Sequence, residues 1–236
     1  MNTTKKYSRF LFTLLLATNC LLLVSSCGKD TSQPIEFHYN YFPLEQGRFA
    51  IYSVHEEKVD PGGGAVNNYE IDYFIKTKIG DTLIDNSGRV VRKFERYISD
   101  SATGPWQIKD IWTAIIADNR AELVEENNRV IKLVFAPTEE KTWNINAFNT
   151  LSPIQAHYSN IHQAQTINGL SFPLSLVVQQ ENTLNLIQHK RKYEVYAKNV
   201  GMISKVYKDA EITNFDTTQV TKGFTQIMQI IDFGIE

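Results

Sequence analysis

Cysteine is nearly missing from this chain: its 236 residues hold two, Cys20 and Cys27, both close to the N-terminus. So placed they cannot build a disulfide framework, and everything after residue 27 lacks both a cysteine nucleophile and a thiolate metal site. Proline is sparse and glycine ordinary, at 7 and 12 residues, which excludes collagen-like and low-complexity architectures. Charge is also low, with a formal net of −2. That excludes a disordered polyampholyte and argues against nucleic acid as a partner, since phosphate binding needs a basic face. No nucleophile elbow, zinc-protease helix motif, phosphate-binding glycine loop or EF-hand loop occurs.

The apolar stretch from Phe10 to Val24 is fifteen residues long and is broken by Thr13, Thr18 and Asn19. A bilayer-spanning helix needs ~20 such residues. Preceded by Lys5, Lys6 and Arg9 with no acid, it fits instead the apolar region of a secretory signal. The stretch ends in Val24-Ser25-Ser26-Cys27-Gly28, an aliphatic residue, two small ones and a cysteine. This resembles the lipobox of bacterial lipoproteins, and the resemblance implies cleavage before Cys27 and acylation of that residue. A thiol is the nucleophile that accepts diacylglycerol, and two or three acyl chains anchor firmly where one does so only marginally. Removing residues 1–26 takes away the three cations Lys5, Lys6 and Arg9, so the net charge moves from −2 to −5.

Residues 27–40 read as the lipidated N-terminus and a polar tether. Gly28 is not the aspartate associated with inner-membrane retention, so the expected location is the outer membrane, facing the periplasm or the outside. Lys29-Asp30 loosely resembles the export tags of surface lipoproteins.

Residues 41–236 form one domain, without linker, charge block or repeat. Its pattern has period two. Ile71, Tyr73, Ile75 and Ile79 oppose Glu70, Asp72, Lys76 and Lys78; Tyr193, Val195 and Ala197 oppose Lys192, Glu194 and Lys198; Ala50, Tyr52 and Val54 make a third apolar face. Such alternation marks half-buried antiparallel strands. Asn168-Gly169 predicts a two-residue hairpin turn, and Asp85-Asn86-Ser87-Gly88, Asp118-Asn119 and Glu126-Asn127-Asn128 mark others. The fold expected is mainly β: one antiparallel, strongly curved sheet or open barrel of about ten strands, with a two-sheet sandwich as the alternative. Helices should be short at most, Ser152–Gln165 being the best place for one.

The chemistry-bearing residues are scattered. His157 and His162 are five apart, a spacing that suits neither a helix face nor a strand face, so they predict surface or loop histidines rather than a metal site. His55-Glu56-Glu57 reads as a strand end in solvent, and Glu139-Glu140 as a charged loop. Trp106 and Trp112 share strand parity and could form a ligand platform, but core packing is the stronger expectation for both. No catalytic residue, metal ligand or cofactor is assigned, and ligand-binding residues stay open.

Three segments resemble a group of uncharacterised β-rich lipoproteins of Gram-negative bacteria. They are Tyr41-Phe42-Pro43-Leu44-Glu45-Gln46-Gly47 and on through Val54; Ile131–Pro137 with Trp143-Asn144; and Glu194-Val195-Tyr196-Ala197-Lys198-Asn199-Val200-Gly201-Met202-Ile203. The resemblance implies a β fold and lipidation at Cys27, with no known activity. The expected function is therefore a non-catalytic binding or envelope-scaffold lipoprotein. Its partners would be the membrane, through acyl chains on Cys27, and a hydrophobic ligand or an envelope protein. The alternative is a hydrolase whose site is assembled from scattered groups such as His55 or His157 with nearby acids.

Overall fold

A computed structural model describes residues 34–62 and 67–236. The signal segment, Cys27 and most of the tether lie outside the described residues. Two compact units divide the chain, Met1–Ile35 and Glu36–Glu236, and the second carries the fold.

This unit is a single twelve-stranded antiparallel sheet, so the sandwich alternative falls. The strands are β1 (Arg48–Val59), β2 (Tyr69–Ile84), β3 (Val90–Ser99), β4 (Gln107–Ala117), β5 (Arg120–Glu125), β6 (Asn128–Val134), β7 (Thr142–Asn144), β8 (Gln155–Ile167), β9 (Leu170–Leu184), β10 (Gln188–Ala197), β11 (Gly201–Thr213) and β12 (Asp216–Ile235). Their spatial order is β6-β5-β4-β3-β2-β1-β12-β11-β10-β9-β8-β7. Two six-stranded meanders thus stand side by side, joined through β1 and β12, and the sheet curves until its outer strands meet in a nearly closed barrel. Among the described residues helical geometry is confined to the 3₁₀ turn Tyr39–Tyr41 and to Asn67.

Short turns with both central residues at positive φ carry the meander: Asp118-Asn119 (49° and 59°), Glu126-Asn127 (47° and 64°), Asn168-Gly169 (50° and 80°) and Asn214-Phe215 (53° and 62°). Their twist matches that of the strands they join. Phe215 is the residue that composition would not place in such a turn. Gly47 (φ +82°) feeds β1, and a Cβ there would collide with the Glu236 carbonyl.

The expected helix at Ser152–Gln165 is replaced by β8. Asn160 and His162 have positive φ, at 52° and 59°, and the ladder to β9 is irregular between Ser159 and Gln163. This bend breaks the period-two pattern, which is why the sequence does not read as a strand. It also carries the β8–β9 tip across the sheet: the Asn168 side-chain amide donates to the Ile230 carbonyl at 3.1 Å, and Phe172 meets Phe233 with ring centres 5.7 Å apart.

Both faces of β10 are consequently covered. Val195 and Ala197 are buried as the alternation predicts, but Glu194, assigned to the polar face, is buried too. The face holding Ala50, Tyr52, Val54, Ile75 and Ile79 is buried as expected, while Ile71 is left exposed.

At the seam, the edge strands lack a continuous ladder. Ile131 N–H donates to the Ile145 carbonyl at 2.9 Å, and the Trp143 indole donates to the Ile131 carbonyl at 3.1 Å. The Tyr158 hydroxyl completes the junction on Val134, accepting from its N–H at 2.7 Å and donating to its carbonyl at 2.9 Å.

Candidate functional site

The barrel interior holds a cavity of about 100 Å³. By the ~10–15 Å³ that one water centre occupies, this is room for several waters or one small ring-sized group. Leu44 and the residue pair Phe42-Pro43 line one end of it. They belong to the segment around the 3₁₀ turn, whose Tyr41 and Phe42 are buried in the core. Tyr39 fastens this segment to the barrel through Asn119 and an edge-on contact with Phe135.

The walls come from strands far apart in sequence. Tyr52 (β1), Phe94 (β3), Trp112 (β4), Tyr196 (β10), Met202 (β11) and Met228 (β12) supply apolar and aromatic surface. Phe94 and Trp112 lie nearly parallel, 14° apart, with ring centres separated by 6.2 Å. The Arg96 guanidinium sits over the indole of Trp112 at 3.9 Å. Its Nη1 donates to both Asp110 oxygens, at 3.2 and 3.0 Å.

A charged network also faces the cavity. Lys132 Nζ donates to Glu125 at 3.1 Å and to Glu194 at 2.6 Å, tying the two meanders together across the interior. The Tyr196 hydroxyl donates to the second Glu194 oxygen at 2.6 Å. Burial works to raise the Glu194 carboxyl, but Lys132 and Lys205 overcome it and hold it below its ordinary value. Burial likewise opposes the charge on Lys132, and the two glutamates reverse that and raise its pKa. Tyr196 is pushed well above the usual phenol range by burial and by Glu194 beside it. Outside the cavity lining, Glu56 accepts from Tyr69, Tyr73 and Gln226 at 2.8, 2.9 and 3.0 Å. Burial raises its carboxyl, and these hydrogen bonds outweigh that and lower it.

The residues singled out from sequence fall in different places. Trp106 precedes β4 instead of sharing its face with Trp112, and both are half-buried, so neither is the core residue expected. Trp143 is the buried tryptophan of the three. His55 pairs with Asp72 at 3.0 Å on the opposite side of β1 from Glu56, and Glu139-Glu140 is an exposed loop. His162 meets His38 and Tyr41 rather than His157: its ring centre is 4.4 Å from that of His38, and Nδ1 is 2.8 Å from the Tyr41 hydroxyl. Among the described residues no group of three or more His, Cys, Asp and Glu side chains could hold a metal ion.

Comparison with family models, with curated proteins and with solved structures finds no match. The geometry therefore carries the functional argument. Its central residues, Arg96, Lys132, Glu194 and Lys205, were not singled out from sequence. Lys132 did leave a trace, as a lone charge among Val130, Ile131, Leu133 and Val134.

Proposed function

We propose that this protein is a non-catalytic binding protein, anchored to the outer membrane through an acylated Cys27, whose barrel interior takes a small apolar or amphipathic ligand. The observation that carries the reading is the aromatic-lined interior cavity. Concave, mostly apolar sites with few polar groups are the usual form of a small-molecule site, and small barrels place such sites inside. The anchor is supported by the basic, apolar, Val-Ser-Ser-Cys order of the N-terminal segment.

A hydrolase needs an acid or base free to exchange a proton. Here Glu125 and Glu194 share Lys132, Asp110 is held by Arg96, and Glu56 accepts three hydrogen bonds. Those commitments favour binding over catalysis.

Calorimetric titration with benzyl alcohol, a ring of the size the cavity admits, read alongside tryptophan fluorescence, tests the site. Saturable one-to-one binding is expected, and Met202→Trp, which fills the cavity, should abolish it. Undiminished binding by a folded Met202→Trp protein would place the ligand elsewhere. A Cys27→Ala variant should leave the membrane fraction in the native host; if it is still cleaved at residue 26 and stays membrane-bound, the anchor assignment fails.

A further inference from the structure

The unused hydrogen-bonding capacity inside the barrel is cationic. Lys205, on β11, stands between Glu194 of β10 and Met228 of β12 in the strand register and lines the cavity. Such cross-strand neighbours are within easy reach of one another. Glu194 is nevertheless held by Lys132 and Tyr196, and Lys205 makes no ion pair or hydrogen bond among the described residues. Arg96 commits Nη1 to Asp110, whereas its Nε and Nη2 donate to no described group. Glu125 and Glu194 both bond Lys132, and Lys205 adds only to the field that keeps Glu194 charged. A wall of Phe94, Trp112, Met202 and Met228 therefore carries two cationic groups with donors to spare.

We infer that the ligand of this cavity is a small amphipathic anion, with an apolar body against the aromatic and methionine wall and an acidic head held by Lys205 and Arg96. The inference rests on the interior-site reading above and adds the charge of the ligand to it. A charge-assisted hydrogen bond is roughly twice as strong as a neutral one, and the partly enclosed setting strengthens it further. The head group must approach Lys205 without meeting an uncompensated carboxylate, and Lys132 provides that compensation at Glu194. The flat guanidinium of Arg96, stacked on Trp112, is pre-oriented to meet two oxygens of one acid.

Benzoate and benzyl alcohol share a ring of the size the cavity admits and differ in the head, so calorimetry with both on the protein separates the two claims. The expected result is that benzoate binds about tenfold or more tightly than benzyl alcohol, and that Lys205→Gln removes this preference by weakening benzoate far more than the alcohol. Retained binding of the alcohol also reports that the variant's interior is intact. Equal affinity for the two compounds in the wild type, or a preference that survives Lys205→Gln, would overturn the anionic ligand while leaving the interior site standing. Binding of neither compound would overturn the interior site and this inference with it.

Discussion

The Tyr158 hydroxyl bonds both the N–H and the carbonyl of Val134, standing in for one rung of a β-ladder where the ladder at the barrel seam is interrupted. One side chain thus satisfies two main-chain groups on an edge strand. Such edges otherwise template pairing with other chains.

Tyr158→Phe keeps the ring against Trp143 but leaves both Val134 groups without their partner. Removing one partner from a buried hydrogen bond costs about 1–3 kcal/mol. Urea denaturation should show a loss in that range with an unchanged slope. A loss below about 0.5 kcal/mol, the scale of an ordinary surface substitution, would mean that the seam is held by its other contacts.

Lys132→Met strands Glu125 and Glu194 together in the interior. Breaking a buried ion pair from one side costs about 3–5 kcal/mol, so this variant should be among the least stable single changes. The pH dependence should also change sign. In the wild type the folded-state pKa of Glu194 lies below its ordinary 4.5, so its contribution is present above that value and is lost as pH falls through it. Without Lys132, burial and the neighbouring Glu125 should outweigh what Lys205 and the Tyr196 hydroxyl still supply and raise the folded pKa, so that stability is instead lost as pH rises. Melting temperatures of both proteins between acid and neutral pH check this.

His162 should destabilise the fold on mild acidification. Burial, His38 and Lys198 lower its pKa from 6.5, with Glu36 partly opposing them, and the Tyr41 hydroxyl contacts Nδ1. A histidine whose folded pKa is depressed contributes fully above its unfolded value, and that contribution is lost as pH falls below 6.5 towards the folded one. The side chain is largely exposed, so the effect should be modest. The melting temperature should dip below pH 6.5, and His162→Gln should flatten the dip; an identical dip in that variant would assign it to another group.

The three tryptophans should separate cleanly. Trp143→Ala deletes a buried indole that donates to Ile131 and should cost about 3–5 kcal/mol. Trp112→Ala should cost clearly less, because its ring is half-buried at the cavity. Iodide should quench Trp106 and Trp112 and spare Trp143, as read from single-tryptophan proteins.

The sheet was legible because its signals are local. Val54 lies between Ser53 and His55, Tyr193 lies between Lys192 and Glu194, and Asn168-Gly169 tolerates the positive φ that a two-residue turn requires. The cavity was not legible, because its chemistry depends on register between distant strands. Glu194 sits in perfect alternation with Val195 and reads as solvated; only the arrival of Lys132, sixty-two residues away, turns it inward into an ion pair. Arg96 reads as one of several charges on β3 until β4 brings Trp112 beneath it. Nor does parity survive irregular geometry: the β3–β4 ladder shifts between Arg96 and Tyr97, and β4 begins only at Gln107, so Trp106 and Trp112 never share a face.

The pairing of β1 with β12, from Arg48 opposite Ile235 to Val59 opposite Gly223, makes the first and last strands of the sheet in chain order neighbours. During N-to-C emergence, β1 through β6 can zip by short local turns while the far side of β1 waits for almost the whole remaining chain. Contacts of such sequence separation carry a high loop-closure cost and slow folding, and an open strand edge is exposed throughout that interval. A circularly permuted chain beginning at β7, with β12 linked directly to β1, would turn this pairing into a hairpin and should fold markedly faster at similar stability.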